Sequence, residues 1–176
     1  MWINRIFIKN TNRLYSTLKS QPNKMPIHYQ VTENPSVIRD TTEALYQHIF
    51  AVSDTAKFYP RFETETDFMA VLAYNQTDLI GFKLGYRKSK NTFYSWLGGV
   101  LKVYRGQGVG QQLMQIQHQR CQEKGYAKIQ TKTMNQWRKM LILNLQNGFE
   151  IVETYRDKEG ELKIILEKSL IEKNSL

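Results

Sequence analysis

A glycine-rich turn at residues 105–110, between a strand-like and a helix-like stretch, limits the possible folds of this chain more than any other part of its sequence. The turn reads Arg105-Gly106-Gln107-Gly108-Val109-Gly110. Residues 93–101 have the composition of a strand, and apolar residues after the turn recur at helical spacing until Gly125 ends the pattern. In such a turn the main-chain N–H groups point at an anion, because glycine leaves room for its approach. The pattern predicts a phosphate-binding turn or, alternatively, a tight strand–helix connection without a ligand.

Two common phosphate-binding motifs do not fit this turn. A Walker A loop ends in Gly-Lys-Ser/Thr, whereas Gly110 is followed by Gln111 and Gln112. A dinucleotide-binding turn with the spacing G-x-G-x-x-G would need glycine at the position of Gln111, and an acidic residue about 20 residues further on. The only acid nearby, Glu123, follows too soon and stands at the end of the predicted helix. The sequence therefore argues against both nucleotide-binding classes.

The succession of patterns along the chain predicts one α/β domain. Alternating and helical stretches follow each other in the order β-α-(α)-β-β-β-α-β-α-β-β, where the second helix is a short turn at residues 63–68. The first helix is expected to begin at Asn34-Pro35, because asparagine suits the N-cap and proline the first helical position. Gly98-Gly99 in the fourth strand indicates a bulge or a close approach of another segment. The order predicts a mixed sheet flanked by helices.

Composition excludes several classes of protein. Hydrophobic residues make up 41% and charged residues 23%, which is typical of a globular domain. No window approaches the roughly 20 apolar residues of a membrane-spanning helix, so no membrane span is expected. The single cysteine, Cys121, excludes an internal disulfide framework and a cysteine-rich zinc site, and we expect no metal.

Positive charge is concentrated in the middle of the chain. The formal net charge is +9, and residues 79–149 hold twelve basic residues against one acid, Glu123. A segment this basic favours an anionic partner, unless its lysines and arginines only solvate the surface. A nucleic-acid-binding domain is a further interpretation of the charge. No helix-turn-helix spacing, zinc ligands or RNA-binding aromatic motif supports it, so we expect no nucleic-acid partner.

The first 24 residues differ from the rest. Arg5, Lys9 and Arg13 recur every four residues, and residues 1–32 contain no acid. This pattern resembles a mitochondrial presequence; the alternatives are a disordered basic tail or an extension upstream of a true start at Met25. We divide the chain into an extension at residues 1–24, a domain at 25–170 and a tail at 171–176. The expected location is the cytoplasm, or the mitochondrial matrix if the extension is a presequence.

The glycine turn also resembles a family motif. Residues 105–110 are similar to the R/Q-x-x-G-x-G/A motif of the GNAT superfamily of N-acetyltransferases, and follow a strand where that family has its splayed fourth strand. Residues 144–149, Asn-Leu-Gln-Asn-Gly-Phe, resemble the family's helix-to-strand Gly-Phe junction. The resemblance implies a GNAT-like, mostly antiparallel mixed sheet and acetyl-CoA as cosubstrate. The implied cofactor-binding residues are Val100, Leu101, Arg105, Gly106, Gln107, Gly108, Val109 and Gly110.

The same resemblance implies direct attack by a primary amine on the acetyl thioester, with oxyanion stabilisation from a main-chain N–H near Leu101. Many members place a tyrosine general acid where this chain has Asn144, and an amide cannot supply a proton. We interpret Asn144 as orienting the sulfur or capping a main-chain group; the alternative is that catalysis has been lost. The candidates for the general base are three acidic residues and a tyrosine, namely Glu63, Glu65, Asp67 and Tyr94.

Two functions remain open at this stage. The first is an acetyltransferase that acts on an amine of a small molecule or a protein, as a monomer or a homodimer. The second is an acyl-CoA-binding sensor or interaction module without turnover. Both predict binding of acetyl-CoA, and they differ in whether an amine causes release of free thiol.

Overall fold

Seven strands form one sheet in the part of the chain that the structure describes, which is residues 26–51 and 58–171 of a computed structural model. The strands are β1 His28–Thr32, β2 Met69–Asn75, β3 Asp78–Ser89, β4 Thr92–Val100, β5 Lys128–Thr133, β6 Glu150–Arg156 and β7 Leu162–Ser169. The helices are α1 Pro35–Phe50, α2 Tyr59–Thr64, α3 Val109–Glu123 and α4 Arg138–Gln146. Short 3-10 turns cover Lys102–Tyr104 and Asn135–Trp137.

The arrangement of these elements confirms the predicted fold class. Their order along the chain is β-α-α-β-β-β-α-β-α-β-β, and the order across the sheet is β1-β2-β3-β4-β5-β7-β6. Neighbouring strands are antiparallel except β4 and β5, which run parallel. The sheet is thus mixed and mostly antiparallel. The predicted extension at residues 1–24 lies outside the described residues, as does the predicted tail from residue 172 onward.

The short helix predicted at residues 63–68 lies instead at Tyr59–Thr64. Pro60 explains the earlier start, because proline favours the first turn of a helix. Glu65 then adopts an extended conformation and ends the helix. The prediction of a short helix was right in kind but wrong in position.

Helix α1 begins where the sequence predicts. The Asn34 side chain accepts hydrogen bonds from the N–H groups of Ser36, at 3.0 Å, and Val37, at 3.3 Å. Its buried positions are Ile38, Thr42 and Leu45, which lie on one side of a helix because they are four and three residues apart. None of the helices in the described residues is long and apolar enough to span a membrane.

The two faces of the sheet are covered by different helices. On one face, which we call the α1 face, a β carbon added to Gly99 would lie 2.9 Å from the Ile49 side chain of α1. On the other, the α3 face, a β carbon added to Gly81 would lie 3.4 Å from Leu113 of α3. The sequence predicted either a bulge or a close approach of another segment at Gly98-Gly99, and Gly99 is a site of close approach. The bulge in β4 lies instead at Trp96, which has no partner in β3.

The side chain of Asp67 connects several segments of the fold through hydrogen bonds. Its carboxylate accepts hydrogen bonds from Arg87 of β3 and from Lys124 at the end of α3, each at 2.8 Å, and from the hydroxyl of Tyr126. Partial burial raises the pKa of Asp67, but the hydrogen bonds from Lys124, Tyr126 and Arg87 outweigh it and lower the pKa to about 2. The ionised carboxylate therefore stabilises the folded state.

We expect Asp67→Asn to lower the free energy of unfolding by about 1–2 kcal/mol at pH 7, because charge-assisted hydrogen bonds are lost at a partly exposed site. Asparagine tolerates the positive φ of 56° at this position, so the change isolates the charge. Because the folded-state pKa is depressed, the stabilisation is present above about pH 4 and disappears as the pH falls through 2.

Urea unfolding at a series of pH values would measure this difference. Asp40→Asn is the control, because Asp40 forms an exposed pair with Arg39 and should change stability by less than about 0.5 kcal/mol. An equal loss in both variants would contradict the assigned role of Asp67.

Candidate functional site

Strands β4 and β5 separate part-way along their length. Their parallel pairing joins only residues 92–95 to residues 128–131. Beyond Ser95, β4 continues along β3 as far as Val100, while β5 continues along β7. At the last paired position the Thr131 hydroxyl donates to the Ser95 carbonyl at 2.8 Å. We call the opening between residues 96–100 of β4 and residues 132–133 of β5 the wedge.

Two main-chain N–H groups of β4 face the wedge. Leu101 donates its N–H to the carbonyl of Ile80 at 2.8 Å, so this N–H is directed toward β3. Hydrogen-bonding direction alternates along an antiparallel strand, which turns the N–H groups of Val100 and Gly98 away from β3 and into the wedge. The Val100 carbonyl on the same side accepts a bond from the Arg105 side chain at 2.9 Å. Leu101, predicted as a main-chain donor, therefore has its N–H already occupied.

The glycine turn lies beyond the end of β4, at the start of α3. Gly106 and Gly108 have φ values of 78° and 80°, which glycine adopts without strain. A β carbon added to either residue would meet no atom within 4 Å, so the space over the turn is open. The first N–H groups of a helix have no intrahelical acceptor, and those of residues 109–111 are left for a ligand. The turn has the geometry to bind an anion.

Basic side chains stand beside this turn. A shallow pocket of about 250 Å³ is lined by Lys102 and Arg105, together with His48 and Ile49 from the end of α1. The positive charge of this pocket and the N-terminus of α3 both favour a ligand that carries negative charge. Among the described residues, no group of three or more His, Cys, Asp or Glu side chains comes together to hold a metal ion.

A sequence profile described as the acetyltransferase (GNAT) family matches residues 36–140, which is more than half of the 176 residues. The chain belongs to the GNAT acetyltransferase family. The match contains β4, the glycine turn and α3, which are the elements that build the site. No protein with a curated description matches the chain by sequence.

Solved structures share the fold of this acetyltransferase. An aminoglycoside 6'-acetyltransferase type Ii is 18% identical with a TM-score of 0.69, covering 85% of this chain and 99% of that one. The NatC complex bound to Gag peptide and CoA is 17% identical with a TM-score of 0.60, covering 84% and 100%. A nourseothricin acetyltransferase is 20% identical with a TM-score of 0.55; the match covers 60% of this chain and 66% of that protein. At these identities the likeness shows the fold.

Asn144 lies in α4 of the acetyltransferase and is buried. Its carbonyl accepts the N–H groups of Asn147 and Phe149, at 3.0 and 3.1 Å, which closes the end of the helix at the Gly-Phe junction. Asn147 in turn exchanges two side-chain hydrogen bonds with Gln111, at 2.7 and 2.9 Å. These bonds hold the end of α4 against the first turn of α3, beside the glycine turn.

The candidates for the general base differ in their surroundings. Glu65 and Asp67 both lie in ion pairs with basic side chains. Glu63 is in α2 and its side chain is exposed. Tyr94 is in β4 and packs against Tyr86 with ring centroids 5.4 Å apart. Burial, followed by the neighbouring Tyr86, raises the pKa of Tyr94, so its hydroxyl is protonated at neutral pH. Tyr94 is therefore suited to donate a hydrogen bond rather than to remove a proton.

A polar cluster that was not predicted from the sequence lies beneath β4, between the sheet and α3. Lys83 of β3 is only 7% exposed, and Gln117 and His118 of α3 are also buried. Ser95 donates its hydroxyl proton to Gln117 at 2.8 Å. One signal could have revealed the cluster: Lys83 alternates with Gly81 and Gly85 on the same strand, and small residues on both sides indicate a crowded, covered face.

Proposed function

We propose that this GNAT acetyltransferase binds acetyl-CoA along the wedge and the glycine turn and transfers the acetyl group to a primary amine. The observation that carries the proposal is the continuity of main-chain donors. The N–H groups of Gly98 and Val100 face the wedge, and the free N–H groups of the turn and of α3 follow directly after β4. The extended arm and the diphosphate of CoA would meet these donors in that order.

Each part of the cosubstrate has residues that fit it. The diphosphate suits the N–H groups of residues 106–110 and the positive charge of Lys102 and Arg105. The pantetheine arm can pair with the free edge of β4 as an added strand would, through Gly98 and Val100. The Arg105 side chain, which now bonds to the Val100 carbonyl, lies where these two regions meet.

The wedge also limits where the acetyl group can lie. An arm that enters beside the glycine turn runs back along β4 and stops where β4 and β5 pair again, at Ser95 and Thr131. The acetyl group then lies level with Trp96 and Gly98. The wedge-facing N–H of Gly98 is therefore suited to stabilise negative charge on the carbonyl oxygen, as a preorganised donor does.

The acceptor amine can approach from the α1 face. Trp96, Tyr86 and Tyr94 form an aromatic cluster there, with Phe62 of α2 in edge contact with Trp96. Aromatic faces attract cationic groups, and many primary amines are cationic at neutral pH. We propose an acceptor that carries a primary amine, in a small molecule or at a protein amine.

A thiol-release assay tests this function. We expect acetyl-CoA to yield free thiol in the presence of an amine from a panel containing polyamines, aminoglycosides and peptides with free N-termini, and to yield little without one. The second candidate function is an acyl-CoA-binding module without turnover. It is favoured by Asn144, because an amide cannot act as an acid in place of the family's tyrosine. Stabilisation by acetyl-CoA without thiol release from any amine would favour that module and contradict acetyl transfer.

A further inference from the structure

Lys83 is a buried lysine, and no acid in the described part of the chain pairs with its charge. It lies on the α3 face of β3, with its side chain against α3. Within residues 26–51 and 58–171, no carboxylate forms an ion pair with its ammonium group, and its titratable neighbours include the Cys121 thiol and the His118 ring. An unpaired charge at such a site destabilises the fold, so its presence calls for an explanation in function.

The side chain of Lys83 points across β4 toward the wedge. Lys83 stands opposite Gly98 in the sheet. A β carbon added to Gly98 would lie 3.6 Å from Lys83 Cγ and 3.7 Å from Lys83 Nζ. Because Gly98 has no side chain, the lysine can lie over the main chain of the residue whose N–H faces the wedge. The ammonium group is therefore next to the end of the wedge at which the acetyl group lies.

The surroundings of Lys83 contain further incomplete polar groups. Gln117 Nε2 and His118 Nε2 are buried and have no hydrogen-bond partner in the described part of the chain. Both residues belong to α3, which covers Lys83. Buried polar atoms are satisfied in most native structures, and exceptions are typical of sites that a ligand or solvent completes.

We propose that Lys83 is the general acid of this acetyltransferase and protonates the sulfur of CoA as the thioester bond breaks. The inference rests on the proposed function. The acceptor nitrogen forms the new C–N bond with its lone pair, and the C–S bonding pair leaves with sulfur. A proton moves from Lys83 Nζ to sulfur and gives the free thiol. The acceptor nitrogen loses its extra proton to water, and the neutral Lys83 regains one from water.

The acidity of Lys83 suits this step. Burial lowers the pKa of Lys83 to about 8, with a small opposing effect from Cys121. A thiol ordinarily has a pKa of about 8.5, so proton transfer from this ammonium to a leaving thiolate is close to balanced. General acids are most effective when their pKa lies near the working pH. Lys83 would thus supply the proton that Asn144 cannot.

Two of the other groups around Lys83, His118 and Cys121, do not change charge near neutral pH. Burial, with Lys168 and Lys83 as smaller causes, lowers the pKa of His118 to about 3, so its ring is neutral. Burial raises the pKa of Cys121 to about 12, so it remains a thiol. Lys168 of β7, which lies 3.3 Å from His118, has a pKa lowered by burial. The pH dependence should therefore reflect Lys83, with Lys168 as the group to control for.

The test compares Lys83→Met with Lys88→Met, which replaces a lysine on the same strand whose side chain reaches Gln130. We expect Lys83→Met to be at least as stable as the parent, to be stabilised equally by acetyl-CoA, and to show a kcat for thiol release at least about 100-fold lower. Lys88→Met should keep the parent's kcat. Lys83→Arg should stay slow, because a guanidinium keeps its proton at every pH of the assay.

The pH profile of the parent is an independent measurement. At saturating amine, kcat should fall as the pH rises through about 8, and Lys168→Met should keep this fall. A kcat that stays level or rises up to pH 9.5 would overturn the role of Lys83, and so would a Lys83→Met variant as fast as the parent. Neither result would contradict the proposed acetyl transfer. A parent that neither binds acetyl-CoA nor releases thiol would overturn the proposed function, and this inference with it.

Discussion

Acetyl-CoA at 100 times its Kd should raise the free energy of unfolding of the parent protein by about 2.7 kcal/mol, and Gly108→Val should abolish this gain. A β carbon at Gly108 would project into open space, where we place the diphosphate. Valine there would block the approach of the anion to the N–H groups of the turn. Thermal unfolding with and without acetyl-CoA measures the effect.

Gly125→Val is the matched control for this experiment. Gly125 ends α3 with a φ of 78°, close to the 80° of Gly108, and a β carbon there also meets no atom within 4 Å. Both variants should therefore lose a similar free energy from backbone strain, about 1–2 kcal/mol. Only Gly125→Val should retain the full stabilisation by acetyl-CoA. If Gly108→Val gains as much as the control, the donor does not bind at the glycine turn.

Gly85→Ala should destabilise the protein by about 3 kcal/mol, because the β carbon would have no space. It would lie 2.6 Å from the main-chain oxygen of Tyr94 and overlap the ring of Phe93. Gly85 pairs with Ser95 beside the bulge at Trp96, at the point where the wedge begins. The glycine thus leaves space for the Phe93 ring and the Tyr94 main chain, and urea unfolding would measure the cost of filling that space.

Two further variants separate the causes of this effect. Gly98→Ala, on the same face of the sheet, would place a β carbon no closer than 3.4 Å to any neighbour, so its stability should change by less than about 1 kcal/mol. Adding Phe93→Leu to Gly85→Ala relieves the clash with the ring but leaves the clash with the main-chain oxygen. The double variant should therefore not regain the parent's stability. Full recovery would show that main-chain crowding is unimportant.

Local patterns along the chain were sufficient to predict most of the fold. The Asn34-Pro35 helix start depends on neighbouring residues alone, and the structure has the predicted cap. The element order follows from alternating and helical periodicity, which local side-chain direction dictates. The short helix predicted at residues 63–68 was misplaced because Pro60 favours an earlier start.

One part of the candidate site could be predicted from local sequence, and another part could not. The glycine turn is a local feature, since its φ values and its place before α3 depend on the residues of the turn. The direction of each N–H in β4 depends on the register with β3, a partner distant in sequence. The sequence therefore placed the donor only near Leu101, whose own N–H bonds to Ile80, and did not single out the N–H of Gly98.

Short-range sequence patterns were enough to predict a mixed α/β sheet, the strand–turn–helix unit and the resemblance to acetyltransferases. The separation of β4 and β5 after Ser95, and the position of Lys83 beneath Gly98 with no acid beside it among the described residues, become visible once the chain is folded. Strand register and burial arise from contacts between segments that are distant in the sequence, so local patterns do not contain them. A lysine that looks like a surface residue in the sequence becomes a buried cation once α3 covers it.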